Sequence, residues 1–151
     1  MVTGSKSLYT SCILCNIDPE RNNTFIKAWD HWKLLINFKQ PTLGSALLVL
    51  DRHVERMPAL SRGEMRELLE VMEAYESAVI SAFAPSNFNY EMLANAVRHV
   101  HFHAVPRYPL DVRFAGMSWV DENYGRAPVL GAQEKKTKTL VNIIKELQKH
   151  L

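Results

Sequence analysis

The amino-acid sequence predicts an α+β fold, an antiparallel β-sheet packed with a central and a C-terminal helix. Three observations lead there. Short apolar runs of strand-like composition gather in residues 25–50 and again in 87–120. Between them, residues 61–83 keep their apolar positions at helical spacing. A second amphipathic stretch closes the chain, with Leu140, Ile144, Leu147 and Leu151 on one face.

Taken in order, FIKAWD (25–30) and HWKLLINF (31–38) read as two strands, with Asp30 and His31 at the turn between them. KQPTLG is a loop carrying Pro41 and Gly44, and SALLVL (45–50) is a continuously apolar strand expected to be buried on both faces. Ser61 with Glu64 three residues later forms a capping-box pattern. It opens a helix whose Met65, Leu68, Leu69, Met72, Tyr75, Val79 and Phe83 recur at helical spacing, and Pro85 ends it. NFNYEMLANA (87–96) and RHVHFHAV (98–105) read as a pair of strands, and residues 112–120 as one more. The terminal helix falls within 132–151.

No repeat or linker divides the 151 residues, so a single domain over 1–151 is expected. With 47% apolar and 23% charged residues, the composition is that of an ordinary soluble protein. A net charge of +2 gives no footing for nucleic-acid binding, and the EKKTK cluster near residue 136 reads as the solvated start of a helix. No apolar run approaches the ~18 residues of a membrane span, and no signal-peptide pattern opens the chain. A cytoplasmic location is the expectation, with Cys12 and Cys15 reduced.

Chemistry concentrates in HVHFHAVPR at 99–107, where three of the six histidines stand two apart. In a strand such residues share a face, so His99, His101 and His103 point one way, and Val100, Phe102 and Ala104 point into the core. Imidazoles at this spacing suit a solvated polar face, a metal site or a phosphate site. Over four residues the backbone advances roughly 13 Å. Two nitrogens on one zinc ion lie within roughly 4 Å of each other, so a single ion using all three rings is disfavoured. An elongated anion such as a phosphate chain fits the row better. A neutral imidazole is also a nucleophile toward phosphorus: if one ring nitrogen donates to a carbonyl, the other is fixed as the attacking lone pair. A neighbouring imidazole then serves the phosphoryl oxygens or the leaving group.

HVHFHAV has the form His-φ-His-φ-His-φ-φ, the signature of the histidine triad (HIT) family of nucleotide hydrolases and transferases. The segments NYEMLANAVRHVHFHAVPRY and INFKQPTLGSALLVLDRHVERM resemble the family's active-site strand pair and its preceding strand, loop and strand. The resemblance runs over roughly residues 12–110 and implies a HIT-like fold. It implies that His101 attacks the α-phosphate of a nucleotide phosphoanhydride or phosphoramidate, such as a dinucleoside polyphosphate. A covalent nucleotidyl-histidine forms and passes to water or another acceptor. His103 is implied to contact phosphate and leaving-group oxygens. Asn37 matches a position that bonds ribose hydroxyls, and Asn89 lies near one that places an amide beside the phosphate. Asn95 and Arg107 complete the candidate nucleotide-binding set.

CILC at 12–15 has the two-residue gap that lets both thiolates hold one metal, although two small apolar residues at a turn would look the same. No strand leads into the pair, which disfavours a redox role. Some HIT proteins and the related galactose phosphate uridylyltransferases bind a structural zinc through a CxxC, a histidine after the buried strand and the first triad histidine. The resemblance therefore implies a zinc set of Cys12, Cys15, His53 and His99, which leaves His101 and His103 for catalysis.

Four positions depart from the family pattern: Ser45 replaces a supporting histidine, Ala94 a glycine, Ala96 a hydroxyl residue and Arg98 a frequent proline. They bear on which leaving group is handled. They also keep open a nucleotidyltransferase, or a nucleotide-binding scaffold with little turnover, beside the hydrolase. HIT domains pair through the helix and adjoining strand, so a homodimer is expected on the resemblance. Trp29, Trp32 and Trp119 read as packing residues, and an apolar side chain near Phe25 or Ile26 is a candidate to pack on a base.

Overall fold

The structure is a computed structural model that describes residues 11–131 and 134–151. Five strands form one sheet: β1 (Phe25–Ala28), β2 (Trp32–Ile36), β3 (Ala46–Leu50), β4 (Asn87–Glu91) and β5 (His101–Arg107). Their order is β1-β2-β3-β5-β4, and every neighbouring pair is antiparallel. The expected α+β fold with an antiparallel sheet is thus the observed one.

Two helices cover one face of this sheet. Helix α1 (Arg62–Phe83) begins at a complete capping box: Ser61 Oγ accepts from the Glu64 amide, and the Glu64 carboxylate accepts from the Ser61 amide. Arg52 bonds both oxygens of the same carboxylate, and this pairing holds the Glu64 carboxyl near a pKa of about 2. The buried side of α1 is Leu68, Val71, Tyr75, Ala78, Val79 and Phe83. Met65 and Leu69, expected on the inner stripe, are exposed, because the helix turns its Val71 and Ala78 side inward instead. Helix α2 (Thr137–Gln148) buries Leu140, Ile143, Ile144 and Leu147, and residues 132–133 of its expected span lie outside the described residues. These side chains meet Trp32, Leu34, Ile36, Leu48 and Ala104 in one core.

Two strand predictions need correction. The chain leaves the ladder after Glu91, and β5 starts at His101, so residues 92–100 form a loop between strands shorter than the sequence suggested. Ala94 in that loop has φ 48°, a left-handed conformation that no strand residue adopts. Residues 112–120 are a hairpin of their own, β6 (Val112–Phe114) and β7 (Met117–Trp119), outside the main sheet. Ala115 and Gly116 both have positive φ, as a two-residue turn with the twist of a hairpin requires.

Strand register fixes what lies on the uncovered face. His103 sits opposite Leu47 of β3 on one side and Glu91 of β4 on the other, and Leu47 sits opposite Leu35 of β2. Directly opposed residues in an antiparallel pair share a face. His101, His103, Arg107, Asn89, Glu91, Leu47, Leu35 and Phe25 therefore stand on the side away from the helices. Part of it is covered by the N-terminal turn, where Leu14 packs with Leu35 and Val49.

Candidate functional site

The turn at residues 12–15, closed by the Cys15 amide donating to the Cys12 carbonyl, aims both sulfurs at two histidines. Cys15 Sγ lies 3.1 Å from His53 Nδ1, and the sulfurs of Cys12 and Cys15 each lie 3.5 Å from His99 Nδ1. The two Nδ1 atoms are 3.3 Å apart, and all four donor atoms lie within 4.8 Å of one another. Bonds of roughly 2.0 Å to nitrogen and 2.3 Å to sulfur at tetrahedral angles would set ligand atoms roughly 3.3–3.8 Å apart. The set is close enough to hold a metal ion.

Tautomer and protonation agree with that. His99 Nε2 lies 2.7 Å from the Leu50 carbonyl and so carries the proton, which leaves Nδ1 as the lone pair turned to the sulfurs. Burial first, then the neighbouring His53 and His101 rings, lower the His99 pKa and keep the ring neutral. Without a cation, burial and the Cys12 thiol push the Cys15 thiol up to about 11. Behind His53, Glu55 lies 3.7 Å from Nε2 and pairs with the exposed Arg98 at 3.2 Å.

His101 opens β5 with a buried side chain, and its Nδ1 donates to the His99 carbonyl at 2.7 Å. Nε2 is thereby the unprotonated nitrogen, held in one orientation. The His103 ring lies 5.4 Å away, centroid to centroid, at an interplanar angle of 63°. Burial first, then the neighbouring His101 ring, lowers the His103 pKa and favours its neutral form. Its Nδ1 is buried and has no hydrogen-bond partner among the described residues.

The remaining candidates are placed as follows. Asn37 is buried at the end of β2, on the same face, and its Oδ1 accepts from the Lys39 amide. Between Asn37 and His103 the floor is apolar, formed by Leu35, Leu47 and Phe25. Ile26 is buried among the helices and is removed as a base-packing candidate; Phe25 remains. Asn95 is exposed in the 92–100 loop, apart from the histidines' strand.

Arg107, a candidate for nucleotide binding, has its guanidinium engaged within the chain. Nε donates to Asp121 at 2.7 Å, Nη1 to Asn89 Oδ1 and the Arg126 carbonyl, and Nη2 to Asp121 and the Asn123 carbonyl. A guanidinium has five N–H donors, and all five are used. Arg107 and Asp121 are both nearly inaccessible, with side chains 4% and 3% exposed. Arg107 ties residues 121–126 to the sheet, and Asn89 is one of its ligands.

Sequence reading missed Glu91. It set the polar group beside the phosphate near Asn89, whereas the register puts Glu91 opposite His103. A shortened β4 and the loop after it decide this, and neither has a periodic signature. The Glu91 side chain makes no hydrogen bond or ion pair among the described residues. It borders a cleft of about 810 Å³ between β4 and residues 124–128.

A family model described as HIT domain matches residues 19–110, more than half of the chain. Among solved structures, the chain is similar to a hypothetical histidine triad nucleotide-binding protein from Sulfolobus tokodaii, with 16% identity, 92% of this chain and 91% of that one covered, and a TM-score of 0.71. It is similar to a Zn-bound histidine triad family protein from Mycobacterium smegmatis, with 16% identity, 92% and 94% coverage and a TM-score of 0.64. It is also similar to a HIT family protein from Bacillus anthracis, with 23% identity, 94% and 98% coverage and a TM-score of 0.62. Among curated protein sequences, none matches the chain. No helix among the described residues is long and apolar enough to cross a membrane.

Proposed function

The chain belongs to the HIT domain family, and from that premise we propose that it is a nucleotide hydrolase acting at the α-phosphorus of phosphoanhydrides or phosphoramidates. The observation that carries this reading is the hydrogen bond from His101 Nδ1 to the His99 carbonyl, which commits Nε2 to attack. Nε2 forms a bond to phosphorus as the bond to the leaving group breaks and its electron pair departs with that group. Neutral His103 offers an N–H to a phosphoryl oxygen as negative charge gathers there. Water then attacks phosphorus and releases a proton to solvent as the P–Nε2 bond breaks, its electron pair returns to Nε2, and a nucleoside monophosphate leaves. The apolar floor of Leu35, Leu47 and Phe25, with Asn37 at its edge, offers a surface for the nucleoside.

Cys12, Cys15, His53 and His99 are proposed to hold zinc. The donor set is the closed Cys₂His₂ kind, so a bound ion supplies a structural cross-link and keeps no open position. That cross-link lies next to the carbonyl on which His101 is oriented.

A homodimer is proposed through α1 and β4. Met65, Leu69 and Ile80 are exposed on that helix, and β4 pairs on one side only. A binding role with little turnover draws on Ser45, whose hydroxyl donates to the Thr42 carbonyl rather than supporting the nucleophile. Assay with diadenosine tetraphosphate and adenosine phosphoramidate separates the two readings. Hydrolysis lost on His101→Asn supports the enzyme; nucleotide affinity without turnover or a protein adduct supports the binding role. Undiminished turnover in His101→Asn contradicts the mechanism.

A further inference from the structure

We propose that Glu91 sets the leaving-group preference of this site, favouring amines over polyphosphates; this rests on the α-phosphorus chemistry proposed above. The register places Glu91 directly across from His103, on the face that carries His101. Side chains opposed in this way have Cβ atoms roughly 5 Å apart, so the carboxylate shares the strand face on which His101 and His103 are proposed to meet the phosphorus. Glu91 is partly buried, and no cation lies within ion-pair distance of it among the described residues. Two arginines line the same cleft: Arg107 is closed off by its own five hydrogen bonds, and Arg126 is exposed and makes no ion pair with Glu91.

Such a charge acts with opposite sign on the two kinds of bond. When a phosphoramidate is cleaved, its nitrogen first takes a proton from solvent, so it carries positive charge until the P–N electron pair passes to it and a neutral amine departs. The carboxylate stabilises that positive charge. When a phosphoanhydride is cleaved, the electron pair passes to an oxygen of a polyphosphate that already carries several negative charges, and the same carboxylate repels it. The nucleotidyl-His101 intermediate and its hydrolysis are common to both. Glu91 therefore acts on selection of the leaving group and leaves the second half of the reaction alone.

The test compares the full chain with Glu91→Gln and Glu91→Asp, using adenosine phosphoramidate and diadenosine tetraphosphate. Glu91→Gln is expected to lower kcat/KM for the phosphoramidate by roughly tenfold and raise it for the tetraphosphate by roughly tenfold. Glu91→Asp, which keeps the charge, is expected to retain the wild-type order. A substrate ratio within twofold of wild type in Glu91→Gln overturns the proposal. Titration with α,β-methylene ATP gives a readout that needs no turnover, and Glu91→Gln is expected to bind it several-fold more tightly. If the wild type hydrolyses neither substrate, the hydrolase reading fails. The titration then decides Glu91 alone, and unchanged affinity overturns its role.

Discussion

The two ends of one sheet face solve opposite problems. At the His99 end, two sulfurs and two imidazole nitrogens face one another, close enough to hold a metal ion. At the Arg107 end, a cation is already supplied by the chain, and each of its five donors meets a carboxylate, amide or carbonyl oxygen. One end is proposed to need an ion from outside, and the other is complete. Both fasten irregular chain to the strand: the 12–15 turn at one end and residues 121–126 at the other. Between these anchors His101 and His103 remain, with one buried nitrogen of His103 unpartnered among the described residues. The contrast is the basis for proposing different work for chemically similar side chains along one stretch of chain.

The largest expected effect tests that division at its centre. His101→Asn should lower kcat by roughly 10⁴-fold or more, about 5.5 kcal/mol of transition-state stabilisation, while thermal unfolding stays near wild type. His99→Asn should do the reverse in emphasis, with loss of bound metal and a lower Tm. Equal losses of activity and stability in both variants would erase the distinction between the end and the centre.

Next comes the completed end. Arg107→Met leaves the Asp121 carboxylate buried and unpaired, and should cost about 3–5 kcal/mol in denaturant unfolding. A double change to Arg107→Met with Asp121→Leu should recover much of that loss. If the single variant is as stable as wild type, the hub is not an anchor.

At the end proposed to need an ion, chelation should lower stability by roughly 2–4 kcal/mol, read as a fall in Tm that added zinc reverses. The pH dependence has a definite sign. The Cys15 thiol, pushed up to about 11 without metal, must lose its proton to bind, so zinc retention weakens as pH falls and strengthens as it rises. Metal content that ignores pH between 5 and 8 would count against thiolate ligation.

The smallest effect concerns the loop that delivers His99. Ala94 holds φ 48°, where a side chain costs about 1 kcal/mol relative to glycine. Ala94→Gly should stabilise the fold by up to that amount in denaturant unfolding, with activity unchanged. Destabilisation would mean that the methyl group packs usefully.

Much of this was legible before any coordinates. The histidine spacing and the capping box at Ser61 and Glu64 rest on residue types at short spacings, whereas the candidate set of two cysteines with His53 and His99 came from the family resemblance. The glycine expected at position 94 finds its reason in the left-handed backbone there. What could not be read depends on distant segments meeting. Asp121, Asn123 and Arg126 lie in a stretch without periodicity, so nothing announced that they would take every donor of Arg107. Glu91 was overlooked because register across β4 and β5 depends on where the 92–100 loop begins, two residues from the position that sequence favoured.

The central claim is that His101, and neither of its neighbours, carries the chemistry, while His99 belongs to the metal cluster. Its most direct test is rapid quenching during turnover of adenosine phosphoramidate, followed by peptide mass mapping of the adenylylated protein with zinc still bound. Adenylate on His101 alone, with zinc undiminished, is the predicted result. Adenylate on His99 or His103, or steady turnover that stops on chelation without any adduct, would contradict it.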